Sequence, residues 1–183
     1  MGKYVWSVVL SGERVLAGSN AGIHVFKLDG TLLWKKAFNG AVRKIVPLKN
    51  GIAVLVVPQD ESWSELIFLS DSGSVTWERH FNGYVRSIST DGGEYIAAAG
   101  MTGGNVTLLD SAGKLLYSTP PLLSYANDVA TFKGYTVVAY GKNAELIAPP
   151  TGRSSGSRAS TGLFTTSASR PRATSLLTTA PTR

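Results

Sequence analysis

Two histidines, three basic residues at matching places and one tryptophan set among acids are the side chains of this 183-residue chain whose types invite chemistry. His24 and His80 are candidates for metal ligands or general bases. Neither lies at HxH or HxxxH spacing, and neither has an acidic partner at ligand distance along the chain, so no metal site is predicted. Gly18-Ser19-Asn20-Ala21-Gly22 and Gly100-Met101-Thr102-Gly103-Gly104 are glycine-rich. A phosphate-binding loop opens a helix and ends in Gly-Lys-Ser/Thr. These segments lead into strand-like sequence and lack that lysine, so they are predicted to be turns. No Gly-x-Ser-x-Gly elbow precedes a helix, which leaves serine hydrolysis unsupported. Asn105-Val106-Thr107 fits the glycosylation pattern but falls inside a predicted strand. The expectation is a chain with no catalytic residue and no bound cofactor.

Two features point to binding. Arg43, Lys44 and Arg86 follow valines that open successive units, so they are expected to share one surface, either a solvated face or an anion patch. Gln59 to Ser64 is an insertion relative to its sister segments and holds Asp60, Glu61 and Trp63. Loops carry function more often than cores, and tryptophan is enriched at binding hot spots. These three residues are the candidate partner-binding loop. The competing reading folds Trp63 back onto its own sheet.

The elements that must position these residues repeat. LDGTLLWKKAFNGAV, from Leu28 to Val42, returns as LSDSGSVTWERHFNGYV from Leu69 to Val85 and again as LDSAGKLLYS from Leu109. Trp34 and Trp77 are 43 residues apart, and Tyr117 takes the same place 40 residues later. Val5, Val42, Val85 and Ala126 mark the next strand of each unit. A period near 40 with several short strands and no amphipathic helix is the size of one four-stranded propeller blade. Ile52 to Val57 is apolar throughout, as expected of a strand buried on both faces. Asp29-Gly30 reads as a two-residue type I′ hairpin turn, with positive φ at both residues.

Composition agrees. The apolar fraction is 43%, and the chain has no cysteine, which fits a reducing compartment. With no convincing signal peptide or transmembrane segment in the sequence, the cytoplasm is the default expectation. The net charge of +6 is misleading, because residues 151–183 hold five arginines and no acid. The remaining 150 residues carry 13 Lys and Arg against 12 Asp and Glu, so charge argues for no nucleic-acid partner. No apolar run reaches the roughly 18 residues of a membrane span.

Repeats are placed at about 3–40, 41–83 and 84–124, with an incomplete unit at 125–153. In residues 151–183, 15 of 33 are Ser or Thr. Such a segment cannot bury enough apolar surface to offset chain entropy, and disorder is predicted. Two readings of it stand: a flexible basic linker, or a one-base slip of frame at Arg153. A restored frame can place a tryptophan at the position of Gly156, at the spacing of Trp34 from Gly40 and Val42.

The motif Asp-Gly-Thr-Leu-Leu-Trp followed by Gly-x-Val resembles the repeats of quinoprotein (PQQ-like) and WD40-like β-propellers, over about residues 3–153. The Gly-His and Trp-Asp signatures of WD40 repeats are missing, which places it nearer the quinoprotein-like group. The resemblance implies an all-β partial propeller of about three and a half four-stranded antiparallel blades. It also implies that Trp34 and Trp77, with Tyr117 as a substitute, dock one blade on the next. Rings of this kind usually have six to eight blades. An open array leaves two apolar faces uncovered, so self-association or a protein partner is expected. The functional expectation is a noncatalytic interaction scaffold. The alternatives are a fragment of a quinone-dependent dehydrogenase and a truncated product without an independent role.

Overall fold

The computed structural model describes residues 4–100, 105–121, 125–141 and 143–147, together with the backbone of 161–165. Every regular element among them is a strand. Blade 1 comprises β1 (Val5–Ser11), β2 (Arg14–Ser19), β3 (Gly22–Lys27) and β4 (Leu32–Lys36). Blade 2 comprises β5 (Ala41–Leu48), β6 (Gly51–Val57), β7 (Ser64–Leu69) and β8 (Val75–Phe81). Blade 3 comprises β9 (Val85–Thr90), β10 (Tyr95–Gly100), β11 (Val106–Asp110) and β12 (Leu115–Ser118). Blade 4 comprises β13 (Ala126–Phe132), β14 (Tyr135–Tyr140), β15 (Asn143–Ile147) and β16 (Thr161–Thr165). Each sheet is an antiparallel meander in chain order. Consecutive blades pack face to face, and three apolar clusters fill the gaps between them. Strand β6 is buried at all seven positions, because both its faces meet a neighbouring blade.

The fourth blade departs from expectation. The unit at 125–153 is expected to be incomplete and residues 151–183 to be disordered. Within that segment Thr161–Thr165 forms β16 and pairs with β15. An unpaired third strand leaves a row of amide and carbonyl groups open, and a proline-free stretch with Thr and Phe can add to it. The rest of 151–183 lies outside the described residues, as do residues 101–104 of the second glycine-rich loop. The register of β16 is unlike that of its counterparts. Val25 pairs with Trp34, Phe68 with Trp77 and Leu108 with Tyr117, whereas Leu146 pairs with Gly162. The aromatic position of the first three blades is a glycine in the fourth.

The Asp29-Gly30 turn also differs. Only Gly30 has positive φ, at 87°. Gly30 N–H donates to the Lys27 carbonyl and Lys27 N–H to the Thr31 carbonyl, which makes a three-residue loop, Leu28 to Gly30. A type I turn closed by a left-handed glycine gives this geometry, in place of the two-residue type I′ turn.

Candidate interaction surfaces

The opening strand of every blade carries a β-bulge at the same place. It falls between Val5 and Ser7, between Val42 and Lys44, at Val85 to Ser87, and between Ala126 and Asp128. The extra residue at each bulge is Trp6, Arg43, Arg86 or Asn127. A bulge re-aims a side chain out of the ladder, and here all four are gathered at one end of the inner strands. They line an open pocket of about 330 Å³ with Lys44, Ser87 and Asp128. The three basic residues expected to share a surface therefore meet.

Their charges are largely engaged. The Arg43 guanidinium lies 3.9 Å over the Trp6 ring and reaches Glu61 at 3.4 Å. Lys44 Nζ donates to Ser87 Oγ at 2.7 Å and pairs with Asp128 at 3.4 Å, and Ser87 donates its own proton to Asp128. A lysine beside a serine suggests a base and a nucleophile. Here the serine proton points at a carboxylate that also faces the ammonium, so the trio is an ion-paired tie between blades 2, 3 and 4. Burial pushes the Asp128 carboxyl up, but the Ser87 hydroxyl, the Val129 amide and Lys44 together hold it below the ordinary value.

The other singled-out residues are scattered. His24 lies on the outer side of blade 1, stacked on Phe26 with ring centroids 6.3 Å apart. Burial, then the positive N-terminus and Lys35, lowers its pKa. His80 is exposed on blade 2, its ring 5.6 Å from that of Trp63. Among the described residues no three of His, Asp and Glu gather into a metal-binding group. Gly18 to Gly22 forms the tight turn between β2 and β3, closed by Ser19. In the inserted loop, Trp63 is half-buried against the blade 1–blade 2 core, while Asp60 is exposed and caps Ser62. Glu61 reaches back to Arg43.

The blade contacts are regular where two blades meet. The Trp34 indole N–H donates to the Asp71 carbonyl at 3.0 Å, and its ring covers Gly73 in the blade 2 turn. Trp77 does the same to Ser111 and Gly113 in blade 3. Tyr117 is half-buried against the blade 3–blade 4 core. Burial pushes its hydroxyl pKa up, opposed by the Thr136 hydroxyl.

At the ends of the series the same faces are open. By register, Val8 of blade 1 corresponds to Ile45 of blade 2. Ile45 is 3% exposed under blade 1, whereas Val8 is 62% exposed. Leu10 is open on the same face. On the far side of blade 4, Phe132, Tyr135 and Val137 are exposed, the first at 64%. The positions are core-like in pattern, since counterparts in the neighbouring blades such as Ile45 are buried.

The chain matches no protein-family model and no curated protein sequence. Solved structures are similar in fold. The computationally designed Ika4 protein aligns with TM-score 0.66 and 12% identity over 88% of this chain and 91% of its own. The Pan2 WD40 domain of Neurospora crassa gives 0.64 and 16%, over 80% of this chain and 47% of its own. BamB from Moraxella catarrhalis gives 0.56 and 18%, over 73% and 39%. This is a β-propeller-like fold. At such identities the likeness concerns architecture alone and does not separate WD40-like from quinoprotein-like repeats. This propeller-like chain spans just under half of the Pan2 domain. No helix among the described residues is long and apolar enough to cross a membrane.

Proposed function

We propose that this chain is a noncatalytic binding module whose two outer blade faces dock protein, either another chain or a second copy. The observation that carries the reading is the pair of exposed core-like faces, Val8 and Leu10 at one end and Phe132, Tyr135 and Val137 at the other. Apolar patches of this kind mark interaction sites when they are contiguous and uncovered. The two faces are also successive surfaces of one repeat, so the apolar face of one copy's fourth blade can stack on the apolar face of the next copy's first blade. Such a contact is head-to-tail and closes when the rotation per copy completes a ring.

Sedimentation velocity over a concentration series tests this. The expected result is association that grows with concentration and is lost in a Val8→Lys/Leu10→Lys double variant with an unchanged melting temperature. A chain that stays monomeric at every concentration, with the same profile in the variant, counts against outer-face docking.

A further inference from the structure

The Leu28–Gly30 turn on the outer edge of blade 1 has the construction of the two turns that receive an indole inside the protein. In blade 2, Gly73 N–H donates to the Ser70 carbonyl and Ser70 N–H to the Ser74 carbonyl, both at 2.9 Å. In blade 3, Gly113 pairs with Asp110 and Asp110 with Lys114, both at 3.0 Å. In blade 1, Gly30 pairs with Lys27 at 3.1 Å and Lys27 with Thr31 at 2.9 Å. The three glycines have φ of 85°, 81° and 87° in that order.

What lies over them differs. A Cβ added to Gly73 would stand 2.9 Å from Cε3 of Trp34, and one added to Gly113 would stand 2.7 Å from Cδ2 of Trp77. In each case the indole N–H bonds the carbonyl two residues before the glycine, at 3.0 Å. At Gly30 nothing lies within 4 Å of that position. The equivalent carbonyl belongs to Leu28, which is 63% exposed. The absent side chain and the carbonyl that suit an indole are therefore both in place, on a turn whose glycine face is bare and whose Leu28 is exposed.

We propose that the Leu28–Gly30 turn is an acceptor for a tryptophan carried on a β-strand of a different protein chain, bound through the Leu28 carbonyl and the bare face of Gly30. The occupant follows from what this chain holds. Trp34 and Trp77 fill their own turns. Trp6 lies under Arg43, and Trp63 packs against the core between blades 1 and 2. The corresponding strand of blade 4 brings Gly162 to the aromatic position. A second copy therefore has no tryptophan in register to offer. This inference rests on the binding-module reading and specifies one contact within it.

The probe is a backbone-cyclised hairpin with the sequence of residues 22–38, which contains one blade's third and fourth strands, together with the same hairpin carrying Trp34→Ala. Binding is followed by NMR on the intact chain. The expected result is a saturable upfield ring-current shift of the Gly30 α-protons with the tryptophan hairpin. Affinity should be about tenfold or more weaker with the alanine hairpin. A Gly30→Asn chain, whose new side chain meets open space in the free protein, should keep its melting temperature to within a few degrees and lose affinity to a similar degree. Equal binding of the two hairpins overturns the proposal, and that comparison needs no variant of the chain. Shifts at Val8 and Leu10 without any at Gly30 also overturn it, while leaving outer-face docking intact. No shift at either place, together with a monomer throughout the sedimentation series, removes both.

Discussion

Trp34 and Trp77 each do two things at once. They add apolar area between blades, and they satisfy a turn carbonyl of the next blade. Replacing Trp34 by Ala is expected to cost about 3 kcal/mol, the low end for such truncations because the ring is half-buried. Trp34→Phe should cost about 1 kcal/mol, since mainly the hydrogen bond to Asp71 is lost. Urea unfolding of the two variants checks both values. Asp91 is a second tie. Its Oδ1 accepts from the amides of Gly93, Glu94 and Tyr95, and its Oδ2 accepts from the amide of Lys133 in blade 4. Burial raises its pKa, but those four amides outweigh it and the net shift is downward from 3.8. A carboxyl whose folded pKa is depressed contributes stability above its unfolded pKa and loses it as pH falls through the folded value. Stability is therefore expected to hold from neutrality to about pH 5 and to drop below pH 3.8. Asp91→Asn should make that acid limb shallower in thermal melts at stepped pH. Asp91→Ala should cost about 1.5–3 kcal/mol at pH 7.

Strands build blades because each carries one face for each neighbour. On β1, Val9 turns toward blade 2 and joins the core, while Val8 and Leu10 turn away. Bulges at the start of each first strand break this alternation once per blade and deliver Trp6, Arg43, Arg86 and Asn127 to a common mouth. Strand β16 is the weakest element by this logic. It pairs on one side only and lacks the ring that anchors its three counterparts. A chain ending at Ser160 is expected to exchange amide hydrogens over Asn143–Ile147 roughly tenfold faster or more than the full chain. Unchanged exchange there would mean that β16 does not pair in solution.

At the scale of the molecule, four blades in series make an arc whose interior joints are sealed and whose ends are not. Three joints bury apolar clusters, and a salt link from Lys44 to Asp128 spans blades 2 and 4 across the mouth. Val8→Lys/Leu10→Lys is expected to leave the fold intact and abolish association. Those side chains are already exposed, so the substitution removes no buried contact from the monomer.

The repeat, the strand order within blades and the apolar alternation of the strands were all written in local sequence. Alternation and turn residues act over a few positions, and a 40-residue period needs no partner to be read. Three things came only with the tertiary structure. The Leu28–Gly30 turn is a three-residue loop, because the strands' register, and not the Asp-Gly pair alone, sets the hydrogen bonds that close it. Arg43 and Lys44 turned out to be engaged, because Glu61 reaches Arg43 from a loop of the same blade and Ser87 and Asp128 reach Lys44 from other blades. Thr161–Thr165 became a strand because an open backbone edge recruits by hydrogen bonding, which a composition rich in Ser and Thr does not announce. Periodicity records what each residue faces along its own strand, and only packing decides which chain, if any, faces it from the other side.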